Sequence, residues 1–181
     1  MKFRPRMVVL KNVETLLIRE VDVSDAKKVV EYMKTVTAET VFNITAPDEV
    51  FDVSTKRKLI KMFRENPRDL MIVGELRGEI VSILSLRGFT RKRTSHAGEM
   101  SISVKKKYWG IGIGTAMMKA MIEWAKREGF ERIQLEVFKS NERAINLYRK
   151  MGFVEEGLKR KAVRLEDGRY EDVLVMALLL D

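Results

Sequence analysis

A glycine-rich segment constrains the fold of this chain more than any other feature, because of what flanks it. Met100, Ile102 and Val104 alternate with polar residues before it, as in a half-buried strand. After it, apolar residues recur at helical spacing from Ile113 to Trp124. The glycine loop, residues 109–115, therefore starts a helix, where free backbone N–H groups and the positive end of the helix dipole bind anions. This arrangement predicts a phosphate-type site.

The spacing of the glycines excludes two common phosphate loops. A P-loop requires Lys and then Ser or Thr after its last glycine, whereas Thr115-Ala116 follows here. The dinucleotide fingerprint requires glycines in the first, third and sixth places, and counting from Gly110 or Gly112 puts another residue sixth. Glu136 lies at a plausible distance for a ribose-binding acid, but we favour an outward-facing strand residue.

Two hairpin patterns surround the centre of the chain. Apolar runs flank Arg77-Gly78 and again Asp167-Gly168, and both dipeptides favour tight turns. The predicted hairpin strands cover 69–76, 79–86, 153–165 and 169–180. Between them lie a strand at 96–104, the helix after the glycine loop, a strand at 133–137 and a helix capped by Asn141. This order predicts an α+β fold with a mixed, mostly antiparallel sheet flanked by helices, in a single domain, 1–181.

The N-terminal third is predicted to contain a strand at 15–21 and two helices. Asp22 or Ser24 caps the first helix and Ser54 caps the second. Residues 38–53 between these helices read as irregular. This stretch holds four acids that could bind a cationic amine or serve only solubility: Glu39, Asp48, Glu49 and Asp52.

Composition narrows the chemistry. The chain has no cysteine and one histidine, which excludes disulfides, cysteine nucleophiles and thiolate metal sites, and no metal is expected. Thirty-five basic residues against 26 acidic ones give a net charge of +9, which favours an anionic partner such as nucleic acid or a phosphorylated cofactor, with solubility as the alternative explanation. Lys105, Lys106 and Lys107 are predicted to raise the positive potential beside the glycine loop.

No segment is apolar and long enough to span a bilayer, so no membrane partner is expected. The start, Met1 to Arg6, is basic, but Lys11 interrupts the apolar run after it too soon for a signal peptide. We therefore expect a cytoplasmic protein. The lack of cysteine and the abundance of Lys, Arg and Glu are typical of a thermophilic source.

Two motifs together resemble the GNAT superfamily of acyl-CoA N-acetyltransferases. The loop of that family reads Arg or Gln, any, any, Gly, any, Gly or Ala, and here Gly112 and Gly114 fill the last two key places. Trp109 occupies the first, which changes a side chain but leaves the backbone amides in place. The run from Ser140 to Phe153 resembles the second signature of the family. The resemblance extends from about Leu16 to the last predicted strand.

The resemblance implies acetyl-CoA as cosubstrate. Ile102, Ser103 and Val104 would pair their backbone groups with the pantetheine arm, and Asn141 would contact that arm or the acceptor. The pyrophosphate would be held by Trp109, Gly110, Ile111, Gly112, Ile113, Gly114 and Thr115. The C-terminal pattern resembles the branch of ribosomal-protein, amino-acid, polyamine and phosphinothricin acetyltransferases. The acceptor is then a primary amine, of a small molecule or a peptide N-terminus, and a homodimer is possible.

Acetyl transfer needs a base and an acid. An amine attacks a thioester only when neutral, and a lysine-like amine has a pKa of about 10.4. Glu99, on the polar face of the predicted 96–104 strand, is the first candidate base, with a cross-strand ion pair as the alternative role. His96 has a suitable pKa of about 6.5 but falls on the opposite face, so it is second. Tyr148 matches the second signature and is predicted to protonate the CoA thiolate, although its spacing alone fits a core aromatic.

Two other functions stay open at this point. A nucleic-acid-binding module could use the basic clusters at 91–93 and 105–107, although no reader motif accompanies them. An acyl-CoA sensor could bind the cofactor without transferring its acetyl group. The favoured hypothesis is direct transfer of acetyl to a primary amine in a ternary complex.

Overall fold

One eight-stranded sheet organises the computed structural model, which describes residues 3–181. Met1 and Lys2, part of the basic start, lie outside the described residues. The strands are β1 Arg6–Val9, β2 Thr15–Glu20, β3 Asp69–Leu76, β4 Glu79–Gly88, β5 Ala97–Val104, β6 Arg132–Phe138, β7 Val154–Arg164 and β8 Tyr170–Leu179. The helices within 3–181 are α1 Ala26–Glu39, α2 Val53–Glu65, α3 Ile113–Arg127 and α4 Glu142–Lys150. The spatial order is β1-β2-β3-β4-β5-β6-β8-β7, which confirms the predicted α+β class and its mixed, mostly antiparallel sheet.

Both faces of this sheet are buried, and β3 shows how. Leu70 and Ile72 point into the cluster that contains the apolar face of α3. Met71 and Val73 alternate with them and point into the cluster formed with α1 and α2. All four side chains are at most 7% exposed, and each contributes about 1.5–3 kcal/mol by its burial. The helices therefore form one layer on each side of the sheet.

The sheet opens between its two central strands. Among the described strands, β5 and β6 are the only parallel neighbours, and α3 makes the crossover that parallel strands require. Their pairing stops at Glu99 and Gln134. Beyond that point β5 stays paired with β4, and β6 stays paired with β8 along its whole length, so the two ladders diverge. A wedge is left between residues 100–104 and 135–138, and the N-termini of α3 and α4 lie beside it.

Local details differ from the sequence predictions at three places. Asp22 or Ser24 was predicted to cap α1, but Asp22 caps the short 3-10 helix Val23–Asp25 that leads into it, and α1 has no side-chain cap of its own. Ser54 was predicted to cap α2, but the Asp52 carboxylate does so by accepting the Thr55 N–H at 2.7 Å. Strand β1 was not predicted, because its four residues alternate too briefly to give a pattern. Asn141 caps α4 as predicted, accepting the Ala144 N–H at 3.2 Å. No helix within residues 3–181 combines the length and the apolar character needed to cross a membrane.

Candidate active site

The free edge of β5 presents unpaired backbone groups to the wedge. The N–H of Lys105 bonds to the carbonyl of Val81 on β4, at 3.0 Å. Because backbone groups alternate sides along a strand, Ile102 and Val104 must direct theirs away from β4 and into the wedge. The carbonyl of Val104 is already used there, since it accepts the indole N–H of Trp109 at 2.8 Å. An extended ligand can pair with the groups that remain.

Ser103 does not fit the backbone role predicted for it. The same alternation turns its backbone toward β4, where its carbonyl accepts the Ser82 hydroxyl at 2.8 Å. Its side chain instead faces the wedge and lies 2.9 Å from the hydroxyl of the buried Tyr32. Ser103 therefore lines the site through its side chain.

The glycine loop takes a conformation that other residues adopt poorly. Gly110 and Gly112 have φ values of +84° and +99°, in the left-handed region. Gly112 precedes the first turn of α3 and no side chain caps that turn, so the first N–H groups of the helix stay free for an anion. A Cβ on Gly114 would lie 2.8 Å from a terminal methyl of Leu147, so this glycine lets α3 approach α4 closely.

Two cations from outside the loop lie beside it. Lys11, between β1 and β2, donates its backbone N–H to the carbonyl of Ile111 at 3.1 Å, which brings its side chain to the loop. The Arg143 guanidinium stacks over the Trp109 ring at 4.2 Å. Both side chains line the cavity in front of the loop. They supply positive charge where a phosphate would bind.

The lysines before the loop lie outside the lining of the loop cavity. Lys105 and Lys107 both form ion pairs with Glu79, at 2.7 and 3.2 Å, and the hydroxyl of Tyr108 donates to the same carboxylate. These donors hold the pKa of Glu79 down at about 2. The side chain of Lys106 is exposed. Three lysines against one glutamate still leave a net positive charge here, so Glu79 reduces the contribution of this cluster and does not cancel it.

Two cavities meet at the wedge. The loop cavity is lined by the glycine loop, by Lys11 and by the start of α4. The sheet cavity lies on the α1 and α2 side of the sheet, between those helices and the strands β3 to β6. Residues shared by both linings include Phe42, Ile102, Ser103, Asn141, Ala144 and Tyr148. A ligand entering from one cavity can therefore reach a ligand in the other.

Tyr148 is buried where the two cavities join. It is 6% exposed, and its ring packs against Phe153 with the centroids 6.0 Å apart. Among residues 3–181 its hydroxyl has no hydrogen-bond partner. Burial raises the pKa of this phenol to about 12, because the charged form is poorly solvated there. The side chain remains a proton donor across the physiological range of pH.

The two predicted bases lie outside both cavity linings. Glu99 is exposed at the last β5–β6 pair, where Gln134 donates to it at 3.1 Å. His96 precedes β5 at the end of the strand farthest from the wedge, and its side chain is exposed. The carboxylate that does line the sheet cavity is Glu136 on β6, which also forms an ion pair with Lys159.

The acids of the irregular stretch are mostly occupied with the backbone. Asp52 caps α2, and Glu49 accepts the N–H of Ala46 at 2.9 Å. Glu39 accepts the N–H of Lys106 at 2.8 Å and lines the loop cavity. Asp48, Glu49 and Asp52 lie outside the lining of both cavities. A cationic ligand in the sheet cavity therefore meets none of these four acids.

Several residues that line the two cavities were not predicted from the sequence as residues of this site. Lys11, Lys56, Glu136 and Arg143 all line one of the cavities. Each comes from a different element, and only the folded chain brings them together. Glu136 was noticed by its distance from the glycine loop, and alternation correctly put it outside the apolar face of β6.

Comparisons with known proteins agree with this geometry. A family model described as Acetyltransferase (GNAT) family matches residues 38–153. An L-amino acid N-acetyltransferase from Escherichia coli (strain K12) is 33% identical over 117 residues, covering 62% of this chain and 70% of that protein. An acetyltransferase of the GNAT family from Streptococcus pneumoniae superposes with a TM-score of 0.87 at 32% identity, covering 91% of this chain and 99% of that one. An acetyltransferase from Salmonella typhimurium, solved with its cofactor acetyl-CoA, has the same fold, with a TM-score of 0.81 at 20% identity over 92% of this chain and 94% of that one.

Proposed function

The chain belongs to the acetyltransferase (GNAT) family, and from this premise we propose how its residues divide the reaction between them. It is an N-acetyltransferase that moves the acetyl group of acetyl-CoA to an amine. We propose direct attack of a primary amine on acetyl-CoA while both are bound. The observation that carries this proposal is the wedge between β5 and β6, where the loop cavity and the sheet cavity meet.

In this proposal acetyl-CoA occupies the loop cavity. The pantetheine arm extends along the free edge of β5, where the N–H and carbonyl of Ile102 and the N–H of Val104 are available. The pyrophosphate binds the glycine loop, Trp109 to Thr115, because free N–H groups there meet the positive end of the α3 dipole. Lys11 and Arg143 add charged donors. Asn141 uses its side-chain oxygen for the cap of α4, which leaves its amide nitrogen free to donate to the arm or the acceptor.

The chemistry follows from the groups at the junction. A carboxylate first removes one proton from the ammonium form of the acceptor, and the neutral amine then attacks the thioester carbon. The C–S bond breaks, and the second proton lost by the nitrogen replaces the one that the phenol at the junction gives up. Tyr148 gives its proton to the departing CoA sulfur, a role that its buried position and raised pKa support. Glu136 is our candidate for the carboxylate because it lines the sheet cavity, while the prediction that Glu99 acts as base remains to be tested against it.

The amine acceptor enters through the sheet cavity. The E. coli relative is named for L-amino acids, which supports a small acceptor. Other relatives are named as a ribosomal-protein-alanine N-acetyltransferase and an N-alpha-acetyltransferase, so their names support a peptide N-terminus equally, and the choice depends on the cavity itself. The two alternative functions are not favoured. A nucleic-acid-binding module is disfavoured by the family match, because the family model and the relatives describe acetyltransferases. An acyl-CoA sensor would not need a second cavity with a carboxylate and a buried phenol at the junction.

Calorimetric titration tests the cofactor assignment directly. We expect saturable binding of one acetyl-CoA per chain and no comparable heat with NAD or ATP. The free edge of β5 can pair with a pantetheine arm, and neither NAD nor ATP has such an arm. Binding of all three alike would reduce the site to a general phosphate site. No binding of acetyl-CoA would contradict the proposed use of the loop cavity.

Replacement of Gly112 by alanine should weaken acetyl-CoA binding. At a φ of +99° a Cβ strains the backbone by about 1–3 kcal/mol, and relief of that strain turns the N–H groups of the loop away from the phosphates. A loss of about 1.4 kcal/mol corresponds to a tenfold higher dissociation constant, measurable by the same calorimetry. Gly157→Ala is the matched control, since open space surrounds Gly157 and its φ lies outside the left-handed region. Equal affinities for both variants would rule out the strained loop as a binding element.

Three broader expectations stay predictions of the sequence. They are a cytoplasmic location, a homodimer and heat stability of the kind found in thermophiles. Fractionation, sedimentation velocity and thermal melting respectively would test them, and none of them affects the assignment of the site.

A further inference from the structure

Lys56 is a buried cation in the wall of the sheet cavity. It lies in the first turns of α2 and is only 8% exposed, whereas its neighbours Arg57 and Lys58 are exposed. Within residues 3–181 its ammonium group has no carboxylate partner, and its contact with an aromatic ring is with Phe51, whose centroid lies 5.5 Å away. Burial lowers the pKa of this amine. The wall of the cavity thus contains an amine that no carboxylate of residues 3–181 pairs with.

Such a group is costly unless something pairs with it. A buried charge loses its hydration and normally recovers the loss from an opposite charge or from hydrogen bonds. An apolar side chain at position 56 would fill the same space between α2 and β3 without that cost. The ammonium group is therefore explained best by a negative ligand that enters the sheet cavity.

The surroundings of Lys56 agree with an anionic ligand. Ser85 and Ser101 line the same cavity, and their hydroxyl oxygens lie 2.9 Å apart. One hydroxyl donates to the other, which leaves one proton free for an acceptor atom of a ligand. Glu136 is the only carboxylate in the lining described, and it comes from β6, across the cavity from α2. A ligand with a negative end toward Lys56 and an amine toward Glu136 matches both charges.

We propose that the amine acceptor is a free amino acid and that Lys56 binds its carboxylate. This inference rests on the proposed function, since it assigns the acceptor to the sheet cavity. The lining of the sheet cavity lacks Asp48, Glu49 and Asp52. A polyamine carries several positive charges and would need such acids, whereas an amino acid carries one amine and does not. Lys56 in this role selects the acceptor and takes no part in the proton transfers.

The test compares amino acids with their amides. The amide of an amino acid keeps the amine and the side chain but removes the negative charge. We would measure CoA thiol release from acetyl-CoA with a panel of L-amino acids, their amides, dipeptides with the same first residue, and a polyamine. The wild-type enzyme should use the best amino acid at least tenfold more efficiently, in kcat/KM, than its amide, since a hydrogen bond to a charged group contributes on this scale.

Three variants locate the effect. Lys56→Met should lower kcat/KM for the amino acid about tenfold or more, through KM, and leave the amide within about twofold. Lys56→Arg should keep part of the preference, because its charge remains. Lys58→Met, an exposed lysine on the same helix, is the control and should behave as wild type. Thermal melting and acetyl-CoA affinity should be unchanged in Lys56→Met, which separates a lost contact from a folding defect.

The outcomes are distinct. A wild-type preference for an amide, a dipeptide or the polyamine over every amino acid would overturn the inference and leave the acetyltransferase assignment intact. An amino-acid preference that survives in Lys56→Met would also overturn it, because another group would then bind the carboxylate. Release of no thiol with any amine would remove the proposed function, and the inference with it.

Discussion

Tyr148→Phe should lower kcat about a hundredfold or more while the affinity for acetyl-CoA stays within about twofold of wild type. General acid catalysis by a positioned group contributes about 10²–10⁴ in rate. The substitution removes one oxygen, and among residues 3–181 that oxygen has no partner to leave behind. The ring remains, and so does its packing against Phe153. The fold should therefore be preserved, and steady-state kinetics beside calorimetry will separate turnover from binding.

The pH dependence gives an independent check on Tyr148. Burial raises its pKa to about 12, so the phenol stays protonated at neutral pH and through pH 9. Its ionisation should not reduce the wild-type rate in that range, and the profile of Tyr148→Phe should run parallel to that of wild type at a lower level. Turnover equal to wild type would refute the assignment. A fall in acetyl-CoA affinity as large as the fall in kcat would make Tyr148 a binding residue.

The sequence predicted what depends on neighbours along the chain. Apolar runs on either side of a turn dipeptide located β3 and β4, period-two alternation located β5 and β6, and helical spacing located α3 and α4. The glycine loop and the second signature were sufficient to indicate the family. Family membership confirms that resemblance. These elements can be predicted because residues close together in the sequence determine each of them, independently of the rest of the fold.

What depends on distant pairing could not be predicted in the same way. The wedge exists because β5 and β6 are each held by a different partner strand, and that partnership joins segments far apart in sequence. Lys105 and Lys107 looked like part of the phosphate site until Glu79 was found beside them. Lys56 looked like any other residue of a lysine-rich helix. Its burial depends on how α2 packs on the sheet, and no local pattern contains that information.

The position of the sheet cavity changed which of two glutamates we favour as the base. Glu99 was favoured because it lies on the polar face of β5, and that orientation is correct. The sheet cavity, however, begins farther along the strand, with Met100 and Ser101. Glu99 lies where β5 and β6 still pair, and its carboxylate accepts a hydrogen bond from the side chain of Gln134. Glu136, on the neighbouring strand, borders the cavity. Alternation can assign a residue to a face, but it cannot say where along that face a cavity starts.

Glu136→Gln should lower kcat about a hundredfold at neutral pH, whereas Glu99→Gln should leave it within about threefold. The proposed base must lie on the cavity wall, and Glu136 does so. Loss of a general base lowers the rate by the same order as loss of a general acid. Glutamine keeps the size of the side chain but accepts no proton from the amine. Rates of both variants with the same acceptor, measured by thiol release, provide the comparison.

A second variant separates proton transfer from the ion pair with Lys159. Glu136→Gln breaks that pair as well, so Lys159→Met, which breaks the pair but keeps the carboxylate, is the matched control. The ion pair is partly exposed, since the Lys159 side chain is 53% accessible. Such pairs contribute little to stability, so Lys159→Met should fold as wild type does. Because it keeps the carboxylate, it should also retain its activity. The rate of Glu136→Gln should also recover as pH rises toward the pKa of the acceptor amine, because the amine then loses its proton without help. A large loss in Glu99→Gln, with Glu136→Gln near wild type, would instead establish Glu99 as the base, acting on the amine through water from outside the cavity lining.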